Sequence, residues 1–247
     1  MKQRLLKLLT VVVLISGEYG NAQTTGHFGT FTAINHTGTL SNKWDYSLYY
    51  YGAFNLLNSP RVNNVSTSPD LFILYSEQAL TYNVNKKLSS TISYLYQGQT
   101  PFEKSYVNEN RIYLQAVYKT MHNRTTFRSR VRYDARFIEN NITGKRPYTS
   151  RIRYLFGFQT PLKKGNDSIY FTAYEEMFFN TYKNETVIYG ENWSYAGVGY
   201  KTPHMGTWEL GALYIFWVLN HQYNLTNLCY LQLTWTTHLD LRKTKTE

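Results

Sequence analysis

The chain has 247 residues but a single cysteine, Cys229, and only 16 acidic side chains against 26 lysines and arginines. One cysteine excludes an internal disulfide framework, and its place in an apolar segment favours a buried or lipid-facing thiol over a nucleophile. Polar residues interrupt every apolar run after the N-terminal region, so none approaches the roughly 20 residues that a transmembrane helix requires. The histidines are scattered without the spacing of zinc ligands, and neither a metal site nor a cofactor is indicated.

The N-terminus predicts export. Three of its first seven residues are basic: Lys2, Arg4 and Lys7. An apolar stretch covers residues 8–15, and small residues follow at Gly20 and Ala22. This order of regions is typical of a secretory signal peptide, with cleavage after Ala22. We therefore expect a signal peptide over residues 1–22 and one domain over residues 23–247.

The chain is basic, with a formal charge of +10. A basic chain often binds nucleic acid, but an exported protein rarely meets it, and here the charge is spread over many segments rather than collected in a tail. Nucleic acid is therefore not an expected partner. Aromatic residues make up 17% of the chain and include 24 tyrosines. Tyrosine suits a bilayer interface because its ring is apolar and its hydroxyl is hydrated.

The segment from Phe127 to Phe137 alternates without a break between charged side chains and apolar or small ones. Successive side chains of a β-strand point to opposite faces, so one face of this segment carries Arg128, Arg130, Arg132, Asp134 and Arg136. The other face carries Phe127, Ser129, Val131, Tyr133, Ala135 and Phe137. One face suits an apolar solvent and the other suits water or counter-charges. This pattern is typical of a strand in a membrane barrel.

Similar segments recur along the chain. Strands are predicted near 28–36, 43–54, 70–82, 87–97, 109–119, 125–138, 149–160, 168–179, 191–201, 207–218 and 225–240. Short connections, such as 83–86 and 120–124, alternate with long polar ones, such as 55–69 and 139–148. The predicted fold is therefore all-β: an antiparallel, up-and-down transmembrane β-barrel. Because bacterial barrels of this kind have even strand numbers, we expect twelve strands, with ten as the alternative.

The Arg-rich face has basic neighbours on the adjacent predicted strands. If strands that are neighbours in sequence also pair in space, a basic wall lines the lumen, formed by Arg111, Arg128, Arg130, Arg132, Arg136, Arg151 and Arg153. Carboxylates are predicted at inward positions too: Asp45, Glu77, Asp134, Glu176, Glu209 and Asp240. Two interpretations stay open. The wall is either an anion-attracting constriction of a small-solute pore or part of an ion-pair network that fills and orders a closed lumen.

Glycine spacing gives a further expectation about the lumen. Gly197 and Gly199 lie two residues apart and so share one strand face. We expect them to form a kink or to leave space for a bulky lumen neighbour such as arginine.

The sequence leaves two alternatives to a membrane pore or envelope component open. The first is a secreted soluble β-barrel that binds a small apolar ligand, which would place the apolar faces inside and the Arg row outside. The second is a membrane-embedded lipid hydrolase, for which the only local grouping is His36 with Ser41 or Ser47. A nucleophile needs a base within hydrogen-bond reach and a third group that orients the base. The spacing shows neither, so no catalytic residue is predicted.

Several segments resemble a known family: Phe28–Phe31, Gly38–Trp44, Arg128–Phe137, Tyr174–Phe178 and Asn192–Tyr200. Together they are similar to domain-of-unknown-function family 2490, a family of exported proteins typical of Bacteroidota. One departure is Trp193 after Asn192, where members of the family commonly have arginine. The resemblance implies an outer-membrane barrel and supplies no activity. The expected partners are outer-membrane lipid, the barrel assembly machinery during biogenesis and, for a pore, small anionic solutes.

Overall fold

A computed structural model describes residues 24–59, 70–104, 106–182, 187–218 and 225–242. Its described part contains eleven β-strands in one closed sheet. They are β1 (Thr24–Thr39), β2 (Trp44–Ser59), β3 (Asp70–Asn83), β4 (Leu88–Gln99), β5 (Val107–His122), β6 (Thr125–Ile138), β7 (Tyr148–Lys163), β8 (Asn166–Asn180), β9 (Tyr189–Thr202), β10 (Gly206–Val218) and β11 (Leu225–Asp240). No helix long and apolar enough to cross a membrane lies in this part of the chain. The predicted signal peptide lies outside the described residues.

The prediction of an all-β barrel is confirmed, and the prediction of twelve or ten strands is wrong. Strands that follow one another in sequence pair antiparallel around the wall, and the ring closes where β1 pairs with β11 in parallel. The parallel register runs from Thr24 opposite Leu225 to Thr39 opposite Asp240. An even strand number is needed only if the closing pair is antiparallel. The parallel seam accommodates an odd number, so the eleven predicted segments correspond one to one with the eleven strands.

The two ends of the barrel differ in the length of their connections. At one end, which we name the turn end, strands are joined by two to four residues, for example Asn123 and Arg124 between β5 and β6. Asn123 and Gly165 have positive φ angles of 55° and 77°, as tight hairpin turns require. At the other end, the loop end, connections such as 60–69 and 139–147 are longer. The predicted alternation of short and long connections is therefore confirmed.

The alternation within each strand separates two chemically different faces. On the outer face, large apolar side chains are exposed, such as Leu114 at 56% and Val131 at 50%. On the inner face, Arg132 is 5% exposed and Asp134 is fully buried. The Arg row of β6 therefore faces the lumen. Cys229 lies on the outer face of β11, where it is exposed.

The parallel seam can be tested through the native cysteine. Phe28 of β1 lies directly opposite Cys229 of β11, and both are exposed on the outer face. Directly paired strand residues lie within the separation that a disulfide spans, so we expect Phe28→Cys to form an intramolecular disulfide with Cys229. Loss of both thiols, measured by thiol titration and mass spectrometry, checks this.

The matched control is Thr32→Cys, which is four residues farther along β1 and opposite Leu233. A strand rises about 3.3 Å per residue, so this cysteine is out of reach of Cys229. Equal oxidation of both variants, or oxidation of Thr32→Cys alone, would contradict the parallel register.

Candidate functional site

The centre of the lumen is an ion-pair network built on β5 to β9. Asp134 is its most buried member, and its Oδ2 lies 2.7 Å from Arg151 Nε. The same oxygen lies 3.7 Å from Arg111 Nη1 and 3.7 Å from Arg153 Nη1. The register explains the convergence, because Asp134 lies directly opposite Arg151 on β7. One carboxylate is thus shared by guanidinium groups from both neighbouring strands.

Two further carboxylates each bridge a pair of arginines. Glu176 Oε1 lies 2.5 Å from Arg130 Nη2 and 2.7 Å from Arg153 Nε. Glu109 Oε1 lies 2.7 Å from Arg111 Nε and 2.8 Å from Arg136 Nε. A buried charge is tolerated only when it is paired and hydrogen-bonded. The predicted basic wall is therefore largely neutralised where it is most buried.

Sequence reasoning missed two members of this network, Glu109 and Glu191. Glu109 lies two residues before Arg111 on β5, so strand alternation alone would have placed it inside. Glu191 Oε2 lies 3.1 Å from Arg151 Nη1, and Glu191 shares its face of β9 with Trp193. Both positions lie at the start of a strand, where the alternating pattern is short and its direction is hard to read.

The other predicted carboxylates lie outside the central network or at its edge. Glu77 accepts hydrogen bonds from the hydroxyls of Tyr75 (2.5 Å) and Tyr113 (2.7 Å), and lies 4.0 Å from Arg132 Nη1. Asp45 accepts a bond from the Asn83 amide at 2.6 Å.

Nearer the turn end, Glu209 accepts a hydrogen bond from the Tyr170 hydroxyl at 3.0 Å. Asp240 pairs with Arg242 at the exposed end of β11 and does not reach the basic wall. Arg128 makes no ion pair with any described residue.

Aromatic side chains continue the network across the lumen. Phe31 stacks on Tyr51, and Tyr51 stacks on Tyr75, each with ring centroids 4.3 Å apart. Phe31 also meets Trp193 edge-on at 6.5 Å. In the wall, β11 and β10 separate the strands that carry Phe31 and Trp193, so this contact crosses the interior.

Cation–π contacts join the ion-pair network to the aromatic side chains of the lumen. The guanidinium carbon of Arg132 lies 3.7 Å from the Tyr113 ring, and that of Arg153 lies 4.2 Å from the Phe178 ring. Phe178 in turn packs on Trp193 at 5.6 Å. Desolvated contacts of this kind hold guanidinium groups in fixed positions. Together with the cross-lumen contact they make a side-chain layer through the middle of the barrel.

A cavity of about 890 Å³ occupies the remaining lumen. Its lining reaches from Lys119, Arg128 and His238 near the turn end to Glu191 and Trp217 near the loop end. Arg128 is exposed, whereas the side chains of Arg132 and Arg153 are only 6% and 7% exposed. The arginines of the basic wall are therefore exposed to solvent at the turn end and buried deeper along the lumen. We name the turn-end part of this cavity, beside Lys119 and Arg128, the vestibule.

Gly197 and Gly199 leave space for a bulky lumen neighbour, as expected, and that neighbour is tyrosine rather than arginine. A Cβ on Gly199 would lie 2.0 Å from the Tyr170 ring, and one on Gly197 would lie 2.3 Å from the Tyr195 hydroxyl. The absence of a side chain leaves room for the end of each tyrosine side chain. The tyrosines then fill lumen volume without bringing further charge.

The His36 grouping does not form a hydrolase site. The His36 ring is within hydrogen-bond distance of Thr237 Oγ1 (2.7 Å) and the Tyr46 hydroxyl (3.0 Å). Ser47 belongs to the opposite, inward face of β2, and the Ser41 hydroxyl accepts bonds from the backbone of Lys43 and Trp44 in the turn. Neither serine is paired with His36.

Residues 28–225 match the family described as protein of unknown function (DUF2490). The chain belongs to this family. Comparisons with curated proteins and with solved structures give no match. The family description names no activity.

Because three arginines share Asp134, we expect neutralisation of this residue to destabilise the barrel strongly. Asp134→Asn leaves Arg111, Arg151 and Arg153 without their common counter-charge in a buried site. Removing one partner of a buried ion pair typically costs about 3–5 kcal/mol. We expect the free energy of unfolding, measured by urea titration of the refolded barrel, to fall by about that amount.

The matched control is Asp240→Asn, which removes the same charge from the exposed pair with Arg242. We expect no measurable change for this variant. Equal stability of the two variants would show that the central network does not hold the barrel together.

Proposed function

We propose that the protein is an outer-membrane β-barrel whose lumen is closed at mid-height, so that it serves as a structural or binding component of the envelope rather than as an open pore. The observation that carries this proposal is the division of every strand between an apolar outer face and a lumen-filling inner face. The predicted signal peptide supplies the route of export, and membrane lipid would cover the outer face.

The outer face has the chemistry that a bilayer requires. Large aliphatic side chains are exposed on it: Ile34, Leu74, Leu80, Ile92, Ile112, Leu114, Val131, Ile152, Val198, Leu210, Leu231 and Leu233. Aromatic side chains are exposed toward both ends, among them Trp44 and Tyr118 near the turn end and Tyr148 and Tyr214 near the loop end, and also at mid-strand, as Tyr50 and Phe156 are. An outward-facing apolar band rich in aromatic side chains is typical of membrane barrels. An aqueous protein rarely exposes so large a continuous apolar surface.

The lumen favours a closed barrel over a pore. Six arginines of the middle, Arg111, Arg130, Arg132, Arg136, Arg151 and Arg153, face the carboxylates of Glu77, Glu109, Asp134, Glu176 and Glu191. An anion-selective constriction needs uncompensated positive charge along the path, and here the charges are nearly balanced. The Phe31 and Trp193 contact further obstructs the lumen.

A small-anion pore is the second candidate. It is favoured by the cavity of about 890 Å³, whose lining reaches toward both ends of the barrel. The soluble apolar-ligand barrel has less support, because it requires the Arg row outside and the structure has the row inside. The lipid-hydrolase alternative has no support, because its one grouping, around His36, does not form a site.

A charge placed on the outer face tests membrane insertion. Leu114 is exposed near the middle of β5, and a lysine at the bilayer midplane costs about 2–4 kcal/mol. We expect Leu114→Lys to lower the free energy of unfolding in lipid vesicles by that amount. We also expect the wild type to require detergent for extraction and to change its mobility on a gel after heating.

The matched control is Met121→Lys, which introduces the same charge at the turn end, where Met121 is 69% exposed. There the cost should be close to zero. A mature protein that is soluble without detergent, with both lysine variants as stable as the wild type, would rule out membrane insertion.

Conductance separates the closed barrel from the pore. We expect wild-type protein in planar bilayers to show no stable conductance steps. The double variant Arg153→Ala with Glu176→Ala removes both partners of one central pair and should conduct, which shows that the protein has inserted. Wild-type steps with an anion preference that falls in an Arg130→Ala, Arg132→Ala variant would instead establish the pore.

A further inference from the structure

The vestibule contains two basic residues that lie side by side. Lys119 of β5 and Arg128 of β6 are direct cross-strand partners, and both line the cavity. Both side chains are exposed, and neither forms an ion pair within the described ranges. Like charges directly opposite each other destabilise a sheet. Every deeper arginine of the wall, by contrast, has a carboxylate within 4 Å.

The next arginine inward adds an unused donor. Arg130 donates to Glu176 through Nη2, but its buried Nε has no hydrogen-bond partner. Arg130 follows Arg128 by two residues on β6, so the two side chains point into the same part of the lumen. A buried N–H group without a partner costs free energy. A ligand that accepts this hydrogen bond would recover that cost.

The remaining surface of the vestibule is polar and mostly uncharged. Beside Lys119 and Arg128 it presents Ser89, Thr91 and Gln115. Two carboxylates also line it, Asp45 and Glu209; they accept hydrogen bonds from the neutral Asn83 amide and Tyr170 hydroxyl and so keep their charge, but neither lies within ion-pair distance of Lys119 or Arg128. His238 lies within hydrogen-bond distance of Thr37 Oγ1 at 3.0 Å. The vestibule therefore places two adjacent cations without a direct ion pair beside hydroxyl and amide groups.

We propose that the vestibule is a binding site for a small phosphate-type oxyanion, held by Lys119, Arg128 and the free Nε–H of Arg130. An oxyanion with two negative charges matches the two unpaired cations, and its several oxygens match donors that converge from two strands. The hydroxyl and amide groups beside them suit a phosphate on a polar, water-soluble molecule such as a sugar phosphate. This site does not depend on membrane insertion, because it lies wholly inside the barrel.

Calorimetric titration of the full-length mature barrel in detergent, at low ionic strength, tests the site. The probes are inorganic phosphate and glucose 1-phosphate, with chloride as the background anion. We expect saturable binding of the phosphates by the wild type and at least about tenfold weaker binding by the Lys119→Gln, Arg128→Gln double variant. Tighter binding of the sugar ester than of phosphate would show that the hydroxyl and amide groups contribute.

Two controls distinguish a ligand site from a structural role. Arg124→Gln removes an arginine from the same end of the barrel, where it contacts Asp167 outside the vestibule, and should bind as the wild type does. Without phosphate, the double variant should unfold at the same or a higher temperature than the wild type, because a repulsive pair has been removed. Absence of phosphate binding by the wild type, or unchanged binding by the double variant, would overturn the proposal.

Discussion

Asp134 supplies the interaction around which the interior is arranged, because three guanidinium groups from two neighbouring strands share its carboxylate. Desolvating an arginine is costly, and the cost is offset only if a counter-charge is fixed within hydrogen-bond reach. Asp134, Glu176 and Glu109 provide such counter-charges at successive heights of the wall. The strands that carry them cannot shift register without separating every pair, so the same contacts that neutralise the lumen also fix the alignment of β5 to β8.

Local features of the fold follow from the sequence. The period of two in residues 127–137 is enough to place β6, whose bounds of Thr125–Ile138 match the predicted segment 125–138. The division of each strand into an apolar and a polar face also follows, but which face points into the lumen does not, since a soluble barrel would point its apolar faces inward. The strand number does not follow from local pattern, because it depends on how the two chain ends meet. That meeting joins residues about 200 positions apart, such as His36 and Thr237.

The sequence predicts which types of side chain fill the lumen but not how these side chains contact one another. Alternation identifies which arginines share a face, and when applied from the first residue of the predicted segment 109–119 it places Glu109 on the face of Arg111. The contact between Phe31 and Trp193 depends on the width of the barrel and on the stagger of its strands, which no segment of sequence encodes by itself. The fit of Tyr170 against Gly199 likewise requires knowing that β8 and β9 pair in one register rather than another.

The parallel seam has a consequence for how the chain crosses the wall. Eleven passes, unlike ten or twelve, leave the start of β1 at the loop end and the end of β11 at the turn end. Strands of 16 residues separate these points by roughly 40–50 Å. In a bilayer, the first residue of β1 and the last residue of β11 would therefore lie on opposite sides of the membrane, whereas a barrel with an even number of strands has both ends of its wall on one side.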